Sequence, residues 1–323
     1  MKMTNFFITG ASGFVGNHLI ERLHGAGNKI WCLTRRYKKH FFNDDSIEWI
    51  EADLLDTKSY KNILKNADYI FHLAGLLNSR RKEEYIRTNV KGTESLLDTC
   101  KEIGAPKSRF IYMSSIAAMG ANYEGNLLKE SDPCFPQTEY GKSKHQAELI
   151  ALNYSNSIPV VILRPSFIYG RGDMRGLKYL QSLDNHSNSF WISMIKTISL
   201  CHISDLIQSC VLSIERNIKS GEIFIISDPE VYTWNKIKEI LIKIFKNFPR
   251  TSISKNQIPP ENFLEKMEPL DDSSKTLPNY QYWGCDISKA KRLLDFHPKI
   301  SLEEGAYDTI LWYLNKGLLN SRI

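Results

Sequence analysis

The sequence of 323 residues has no apolar run of about eighteen residues, the length that a membrane-spanning helix requires. Its six cysteines form no C-x-x-C pair, so we expect neither a zinc site nor a disulfide framework, but reduced thiols in a cytoplasmic protein. The opening residues lack the parts of a signal peptide. The net charge of +6 is too small and too dispersed to indicate nucleic-acid binding, although it is compatible with anionic ligands.

Short apolar runs alternate with longer helical patterns over the first two-thirds of the chain. The runs are NFFIT, KIWCLT, IEWIE, YIFHLAG, RFIYMSS and VVILRP, and segments such as GNHLIERLHGAG and EEYIRTNVKGTESLLDTCKEIG separate them. Continuous apolar strands that alternate with helices are typical of a parallel sheet covered on both faces. We therefore predict an α/β fold built on a doubly wound parallel sheet.

The pattern becomes less regular after Pro165. Residues 201–227 indicate one more helix and strand of the sheet, whereas residues 247–284 are rich in Pro, Asn, Asp, Ser and Lys and are interpreted as irregular. Two helices close the chain. We predict a dinucleotide-binding domain of residues 1–170 and 201–227, and a smaller, discontinuous substrate domain of residues 171–200 and 228–323.

Three glycines, Gly10, Gly13 and Gly16, lie between the first strand and the first helix in FFITGASGFVGNHLIERL. Glycines at such a turn let the backbone approach a pyrophosphate, and the helix N-terminus presents free N–H groups to the anion. The spacing G-x-x-G-x-x-G fits the dinucleotide fingerprint only in part. We predict that this turn binds a dinucleotide, with Ser12 adding a hydroxyl to a phosphate. The alternative is that these residues only form the turn.

The end of the second predicted strand carries two arginines, Arg35 and Arg36, and no acid before Asp44. An acid at this place grips the ribose 2′-hydroxyl of NAD. A carboxylate would repel a 2′-phosphate, whereas guanidinium groups bind one bidentately. The arginines therefore indicate NADP, with NAD still possible; the alternative is a basic surface loop.

Tyr140 lies four residues before Lys144 in TEYGKSK, so a helix would place the two side chains on the same face. A nearby ammonium favours the phenolate and lowers a tyrosine pKa that starts at about 10. Tyr140 could then exchange protons near neutral pH. On its own, the Y-x-x-x-K spacing is more typical of a solvated helix face.

Segments in a particular order resemble the extended short-chain dehydrogenase/reductase family over the whole chain. They are TGASGFVG, ADL at Asp53, HLAG at 72–75, TNVKGT, YMSSIAAMG, YGKSK, LRPSFIYGRGD, HISDL and DISKAKRLL. The resemblance implies a Rossmann-type sheet, an NAD(P)-dependent enzyme, and a homodimer formed through residues 83–100 and 139–154. It also implies that Asp53 contacts adenine, unless Asp53 serves as a turn or N-cap residue.

The resemblance implies roles for individual residues. Tyr140 exchanges the proton, Ser115 hydrogen-bonds the carbonyl oxygen, and Lys144 lowers the pKa of Tyr140 and holds the nicotinamide ribose. Ser115 matches the family's serine better than Ser114, although both remain open, and Asn89 matches an active-site asparagine that could instead cap or pack. The implied cofactor contacts are Gly10, Ser12, Gly13, Phe14, Val15, Gly16, Arg35, Arg36, Asp53, Leu54, Leu73, Ala74, Gly75, Tyr140 and Lys144.

Departures from the family pattern bear on the reaction. LRPSFIYG has Pro165 and Ser166 where nucleotide-sugar epimerases and dehydratases commonly have an asparagine, and it is closer to the hydroxysteroid, sterol and dihydroflavonol branch. We predict an NADP-dependent oxidoreductase that interconverts a ketone and a secondary alcohol on a small, hydrophobic substrate. Phe190 and Trp191 would face that ligand or belong to a core strand. The alternatives are a nucleotide-sugar epimerase or dehydratase with tightly bound cofactor, and a redox-sensing binding protein.

Overall fold

The structure is a computed structural model that describes residues 4–25, 27–36, 44–177, 195–247 and 281–319. The strands in these ranges are β1 (Asn5–Thr9), β2 (Lys29–Thr34), β3 (Ile47–Glu51), β4 (Tyr69–His72), β5 (Arg109–Met113), β6 (Val160–Pro165), β7 (Phe167–Tyr169), β8 (Ile195–Ile198), β9 (Leu200–His202), β10 (Glu222–Ile226) and β11 (Gln281–Trp283). The α-helices are α1 (Phe14–Leu23), α2 (Lys61–Leu64), α3 (Lys82–Tyr85), α4 (Gly92–Ile103), α5 (Glu139–Asn153), α6 (Ile203–Glu215), α7 (Trp234–Asn247) and α8 (Leu302–Asn315). Shorter helical segments are the π-helical Ile86–Lys91 and Ala290–Leu294 and the 3-10 turns Thr57–Ser59 and Ile116–Ala118.

Seven parallel strands form one sheet in the order β10-β6-β5-β4-β1-β2-β3. The chain runs outward from β1 through β2 to β3, and then crosses to β4 on the other side of β1 and continues outward to β10. The strand order therefore reverses between β1 and β4. In open α/β sheets, ligands bind beside the carboxyl ends of the strands at such a reversal. The predicted α/β fold with a Rossmann-type parallel sheet is confirmed.

Side chains along each strand alternate between two buried layers, one on each face of the sheet. Phe6 and Ile8 of β1 pack with residues of α1 and α6, whereas Phe7 packs on the opposite face with residues of α4 and α5. Because both faces are covered, both sets of side chains must be apolar. This explains why β1, β2 and β6 coincide with apolar runs of the sequence, whereas β3, at the edge of the sheet, carries the exposed Glu48 and Glu51.

Local chemistry sets the ends of several helices. At the start of α5, the hydroxyl of Thr138 accepts a hydrogen bond from the Gly141 N–H at 3.0 Å. At the start of α8, Ser301 and Glu304 form a capping box. The first helix ends at Leu23, earlier than its apolar pattern predicts, since Gly25 follows with a φ of 95° that no helix can continue.

Two small two-stranded sheets lie beside the main sheet, one of β7 with β9 and one of β8 with β11. The prediction that residues 247–284 are irregular is wrong for Gln281–Trp283, because these residues pair with β8 over a long sequence distance that no local pattern shows. Phe190 and Trp191 lie outside the described residues. None of the described helices is long and apolar enough to cross a membrane. The two-domain division, the homodimer and the cytoplasmic location stay predictions.

Candidate active site

The glycine turn between β1 and α1 lies directly against the loop that follows β4. Gly10 has a φ of 69°, and a Cβ added there would lie 2.6 Å from the backbone nitrogen of Ala74. A Cβ added to Gly16 would lie 2.5 Å from the carbonyl oxygen of Ala11. Both contacts are shorter than any side chain tolerates, so glycine is required at these positions. The N-terminus of α1, at Gly13, is not capped by a side chain and is therefore suited to an anion.

A cavity of about 1890 Å³ runs along this edge of the sheet. Its lining includes most of the predicted site residues: Gly10, Ser12, Gly13, Phe14, Val15, Gly16, Arg35, Asp53, Leu54, Leu73, Ala74, Gly75, Ser115, Tyr140 and Lys144. Arg36 and Asn89 are not in this lining. Typical small-molecule sites have volumes of about 300–1,000 Å³, so this cavity has room for a dinucleotide and a second ligand. The tight glycine turn at one end fits the pyrophosphate of such a dinucleotide.

Two hydroxyl groups and Arg35 lie at the end of β2. The hydroxyls of Ser12 and Thr34 lie 3.1 Å apart, and Thr34 donates to the carbonyl oxygen of Arg36 at 3.1 Å. The side chain of Arg35 lines the cavity beside them. The structure thus brings Ser12 and Arg35 together at the edge of the sheet, while the backbone of Arg36 holds the turn.

Asp53 follows β3 at the same edge of the sheet. Its carboxylate accepts a hydrogen bond from the Leu55 N–H at 2.9 Å and another from the guanidinium of Arg87 at 3.1 Å. The hydrogen bond from Leu55 is the largest cause that lowers the pKa of Asp53, and Arg87 and Arg35 add to it against burial. Asp53 therefore lies among cations as a carboxylate and shapes a local turn, while it still lines the cavity beside Leu54.

Ser114 and Ser115 point to different sides at the end of β5. The Ser114 hydroxyl is buried and donates to the Glu148 carboxylate at 2.5 Å. The Ser115 hydroxyl accepts a hydrogen bond from the Ala117 N–H at 3.2 Å and lies close enough to Tyr140 to lower the pKa of that phenol. Successive residues of an extended chain alternate in direction, so only one of the two hydroxyls reaches Tyr140. In the structure that hydroxyl belongs to Ser115.

Tyr140 lies in the first turn of α5, beside Ser115. Burial raises the pKa of Tyr140 above its ordinary value, and the hydrogen bond with Ser115 and the charge of Arg175 act in the opposite direction. The sequence predicted a lowered pKa caused by Lys144, and this direction is wrong for the protein alone because burial is the larger effect. A raised pKa keeps the phenol protonated at neutral pH, which is the state of a proton donor.

Lys144 lies one turn further along α5 and is buried. Its ammonium donates to the carbonyl oxygen of Met113 at 2.5 Å and lies 4.3 Å from the centre of the Tyr112 ring. Burial lowers the pKa of Lys144 to about 7, against the opposing effect of the Glu148 carboxylate. A Cβ added to Gly75 would lie 3.8 Å from the ammonium, so Lys144 also borders the loop after β4.

Asn89 lies behind the cavity wall, in the π-helical segment Ile86–Lys91. Its side chain accepts from the Leu76 N–H at 2.7 Å and donates to the Leu76 carbonyl oxygen at 3.1 Å and to the Ser143 hydroxyl at 2.9 Å. These bonds tie the loop after β4 to the helix that carries Tyr140. Segments of π-helix are frequent at functional sites, and here the extra residue turns Asn89 inward between the two elements.

His72 ends β4 and is fully buried beneath the glycine turn. The Thr93 hydroxyl donates to the carbonyl oxygen of Asn89 at 2.6 Å, so it accepts from the His72 Nε2–H at 2.9 Å. The Thr9 hydroxyl accepts from the Ala74 N–H at 3.1 Å and donates to His72 Nδ1 at 2.7 Å. Burial, with a smaller effect of Lys144, lowers the pKa of His72 to about 3. His72 is therefore a neutral side chain whose hydrogen bonds link β1 to α4.

A buried ion pair lies behind the reacting residues. Arg164 of β6 donates to both oxygens of Glu148, from Nε at 2.8 Å and from Nη2 at 2.7 Å. Burial acts to raise the pKa of Glu148, but the hydrogen bonds from Arg164 and other groups outweigh it and hold that pKa below its ordinary value. The charged Glu148 receives the Ser114 hydroxyl and faces Lys144, so it fixes the end of β5 against α5.

Sequence reasoning missed the far end of the cavity. Arg175 lines the cavity, and its charge lowers the pKa of Tyr140; it lies two residues beyond the LRPSFIYGRGD segment, and the sequence assigned it no role. Beyond it lies an apolar chamber, which we define by the side chains of β8, β9, α7 and α8 that line it: Ile198, Leu200, Ile237, Leu241, Leu302 and Ile310. These six side chains are buried. From the sequence they would be assigned to the core, because no local pattern distinguishes a core side chain from one that lines a cavity.

The cysteines and the metal-binding side chains contribute no further site among the described residues. All six cysteines are free, and five of them are buried. Within the described ranges, no group of three His, Cys, Asp or Glu side chains could hold a metal ion.

Comparison with known proteins identifies the family. A model of the NAD-dependent epimerase/dehydratase family matches residues 6–227. The chain belongs to this family. The resemblance to extended short-chain dehydrogenase/reductases is thereby confirmed, and the chain is an NAD(P)-dependent enzyme of that type.

Family members of several activities are similar to this chain over nearly its whole length. UDP-glucuronic acid decarboxylase 1 of Arabidopsis thaliana is 28% identical over 94% of this chain and 68% of its own. The decarboxylating sterol-4-alpha-carboxylate 3-dehydrogenase of Saccharomyces cerevisiae is 27% identical over 98% and 99%, and ceramide reductase of Caulobacter vibrioides is 26% identical over 98% and 96%. The crystal structure of UDP-glucuronic acid 4-epimerase from Bacillus cereus with NAD has a TM-score of 0.76 at 24% identity and covers 97% of this chain and 99% of that chain.

Proposed function

We propose that this family member is an NADP-dependent oxidoreductase that interconverts a ketone and a secondary alcohol on a hydrophobic substrate. One observation carries the proposal: Ser115, Tyr140 and Lys144 line a single cavity together with the glycine turn and the six side chains of the apolar chamber. A cavity of this composition offers a place for a dinucleotide and for an apolar molecule beside one proton donor.

Reduction of a ketone requires a hydride and a proton at the carbonyl group. A nicotinamide cofactor supplies the hydride when it is bound. The Ser115 hydroxyl would donate to the carbonyl oxygen, and Tyr140 would give its proton to that oxygen as negative charge develops there. Lys144, on the same face of α5, would favour the phenolate that remains. In the direction of oxidation, the same groups take the proton back.

The end of β2 supports NADP over NAD. Arg35 lies there with the Ser12 and Thr34 hydroxyls, and the nearby carboxylate of Asp53 is already paired with Arg87. A 2′-phosphate is a dianion near neutral pH, and guanidinium and hydroxyl donors stabilise it through charge-assisted hydrogen bonds. An uncharged ribose hydroxyl does not need such donors. The cofactor contacts proposed from the sequence also include Arg36, whose carbonyl oxygen holds the Thr34 hydroxyl.

The apolar chamber supports a hydrophobic substrate. Its six side chains offer no hydrogen-bond partner to a nucleotide, and filling it with apolar surface would contribute about 25 cal/mol for each Å² removed from water. Relatives named for a sterol carboxylate and for ceramide are among the similar proteins. Ser166 stands where many nucleotide-sugar enzymes have an asparagine, which is in keeping with this choice.

The proposal is tested by the absorbance of NADPH when purified protein meets a panel of steroid, acyl and flavonoid-like ketones, with NADH in parallel. We expect net consumption of NADPH with at least one ketone and at least tenfold slower consumption of NADH. If no ketone is reduced and the purified protein retains tightly bound cofactor, the proposal is wrong. The nucleotide-sugar epimerase or dehydratase, which reduces and reoxidises its cofactor within one turnover, then becomes the better explanation.

A further inference from the structure

The helix α5 carries a third polar side chain beside Tyr140 and Lys144 that the chemistry proposed above does not use. Tyr140, Lys144 and Glu148 follow one another at intervals of four residues, so they share one face of the helix. Lys144 and Glu148 are 3% and 1% exposed. Lysine and glutamate are almost never buried to this degree unless they are paired. Glu148 is therefore a buried acid in the same row as the proton donor.

Glu148 and Lys144 are hydrogen-bonded to consecutive residues at the end of β5. The Lys144 ammonium donates to the carbonyl oxygen of Met113 at 2.5 Å, and the Glu148 carboxylate accepts from the Ser114 hydroxyl at 2.5 Å. Side chains four residues apart on a helix have Cβ atoms about 5–6 Å apart, and neighbouring residues of a strand have Cα atoms about 3.8 Å apart. Two side chains that reach from such a pair to such a pair lie side by side. The geometry thus places the carboxylate next to the ammonium.

Arg164 holds the Glu148 carboxylate in its charged form. Its Nε and Nη2 donate to the two carboxylate oxygens at 2.8 and 2.7 Å, the bidentate arrangement that binds a carboxylate most strongly. The Nη1 group of Arg164 is buried and has no hydrogen-bond partner among the described residues. A buried ion pair with an unsatisfied donor contributes little net stability, and apolar side chains of similar volume are often as stable. Stability alone therefore does not account for the charge of Glu148.

Further ionisable groups face Lys144 and Glu148 from the neighbouring elements. They are His72 of β4, Tyr112 of β5, Cys134 before α5, Tyr140 and His145 of α5, and Arg164 of β6. Burial lowers the pKa of the β4 histidine to about 3 and raises the pKa values of the two tyrosines and the cysteine, so these four groups are uncharged at neutral pH. The α5 histidine lies 3.5 Å from the carboxylate and is charged only when protonated. Of all these groups, Glu148 alone is negative.

The charge of Lys144 depends on this neighbour. Burial lowers the pKa of Lys144 to about 7, and the Glu148 carboxylate acts against burial. A group whose pKa lies near the working pH changes its charge strongly when a nearby charge is added or removed. Only the ammonium, and not the neutral amine, would stabilise the phenolate that remains after Tyr140 has given its proton.

We propose that Glu148 is a positioning residue of the reaction centre, which holds Lys144 at the end of β5 as a charged ammonium. Glu148 is not in the cavity lining, so it acts through Lys144 and not through a contact with cofactor or substrate. Arg164 limits the effect, because it is a second cation on the same carboxylate. The inference rests on the proposed function only for the part that Lys144 plays in the reaction, and the charge of Lys144 can be measured without turnover.

The experiment follows the protonation of Lys144 by ¹³C NMR of the full-length protein labelled at the lysine ε-carbons, whose chemical shift changes when the amine loses its proton. The signal of Lys144 is the one that Lys144→Met lacks. Its titration midpoint is compared in the wild type, in Arg164→Met and in the double variant Glu148→Gln with Arg164→Met. The double variant avoids the uncompensated buried guanidinium that Glu148→Gln alone would leave. Glu139→Gln is the matched control, because it removes one negative charge from the same helix, where Glu139 pairs with Lys142 at 2.7 Å.

We expect a higher midpoint in Arg164→Met than in the wild type, because the carboxylate then faces one buried cation fewer. In the double variant the midpoint should lie about 1–3 pH units below that of Arg164→Met, the range for an adjacent opposite charge. It should also lie below that of the wild type, which keeps the test valid if Arg164→Met does not fold. Glu139→Gln should leave the midpoint unchanged. Equal midpoints in Arg164→Met, the double variant and the wild type, or an equal shift in Glu139→Gln, would overturn the inference.

Turnover separates this inference from the proposed function. A lowered midpoint in the double variant supports the positioning role even if the ketone panel shows no reduction, in which case only the proposed reaction fails. If a ketone is reduced, kcat of the double variant should fall at a lower pH than kcat of the wild type, in the same direction as the NMR midpoint. Equal pH profiles together with an unshifted midpoint leave the reaction standing and overturn the positioning role.

Discussion

Backbone atoms form one part of the cavity, and apolar side chains form another. The cofactor end is shaped by backbone: Gly10 touches the loop after β4 at a distance that admits no side chain, and α1 presents its uncapped N-terminus there. The chamber end is shaped by apolar side chains from β8, β9, α7 and α8. A backbone cradle binds one kind of chemical group, whereas an apolar wall selects by shape and hydrophobic area. The backbone of the fold therefore defines one part of the cavity, and apolar side chains that other residues could replace define another.

The sharpest test of this comparison removes the proton donor that lies between the two ends. Tyr140→Phe should lower kcat by about 10²- to 10⁴-fold, because general acid catalysis contributes this much. The Kd of NADPH should change by less than about threefold, since the cradle is made by other residues. Stopped-flow kinetics and fluorescence titration give the two values. Tyr154→Phe, at the end of the same helix, is the control, and normal turnover of Tyr140→Phe would show that the site is misassigned.

The next largest effect distinguishes the two adjacent serines. Ser115→Ala should lower kcat by about 10²- to 10³-fold through loss of a donor to the carbonyl oxygen. Ser114→Ala should leave kcat within about threefold and lower the free energy of unfolding by about 1.5–3 kcal/mol, because it removes a hydrogen bond to the buried Glu148 carboxylate. Steady-state kinetics and urea unfolding on both variants give the result. Interchanged effects would mean that Ser114 faces the reacting oxygen.

Substitution of Arg35 and Arg36 should change the preference between NADPH and NADH. Arg35→Asp combined with Arg36→Asn should weaken NADPH by about 10- to 100-fold, because charge-assisted hydrogen bonds to the 2′-phosphate are lost. The Kd of NADH should change much less. Equal losses for the two cofactors, measured by fluorescence titration, would remove the argument for NADP.

The last prediction is a pH dependence of the free energy of unfolding that arises from Lys144. Burial lowers its pKa to about 7 from an ordinary value of 10.5. Between these values the unfolded chain keeps the proton and the folded chain does not, so the stability of the wild type rises with pH by at most about 1.4 kcal/mol per pH unit relative to a variant without the amine. Below about pH 7 the difference is constant.

Urea unfolding of the wild type and of Lys144→Met from pH 6 to pH 10 measures this slope. The control is Lys142→Met, two residues away, where the side chain is 52% exposed. We expect the free energy of unfolding of the wild type to rise relative to that of Lys144→Met only above about pH 7. Relative to that of Lys142→Met, it should show no such rise. Parallel curves for all three proteins would mean that the Lys144 ammonium is not desolvated by the fold.

Electrostatics within the site followed from the sequence only in part. The i, i+4 spacing of Tyr140 and Lys144 placed both on one face of α5, and the structure keeps them there. The direction of the tyrosine pKa was wrong, because a helical spacing contains no information about burial. Likewise, two adjacent serines are equivalent in sequence until β5 and α5 turn one of them toward Glu148 and the other toward Tyr140.

The sequence by itself predicted the parallel sheet, the glycine turn and the NAD(P) cofactor class, because apolar runs, helical patterns and the spacing of the glycines are all visible along the chain. Apolar runs gave the strands, and the requirement for glycine at Gly10 and Gly16 marked the cradle. Only the tertiary structure decided which serine faces the reacting centre, where Arg175 lies and what forms the apolar chamber. Ile198 and Ile310 meet there from distant segments. Such contacts depend on how the helices and strands pack. The identity of an apolar residue does not show whether its side chain will face the core or a ligand.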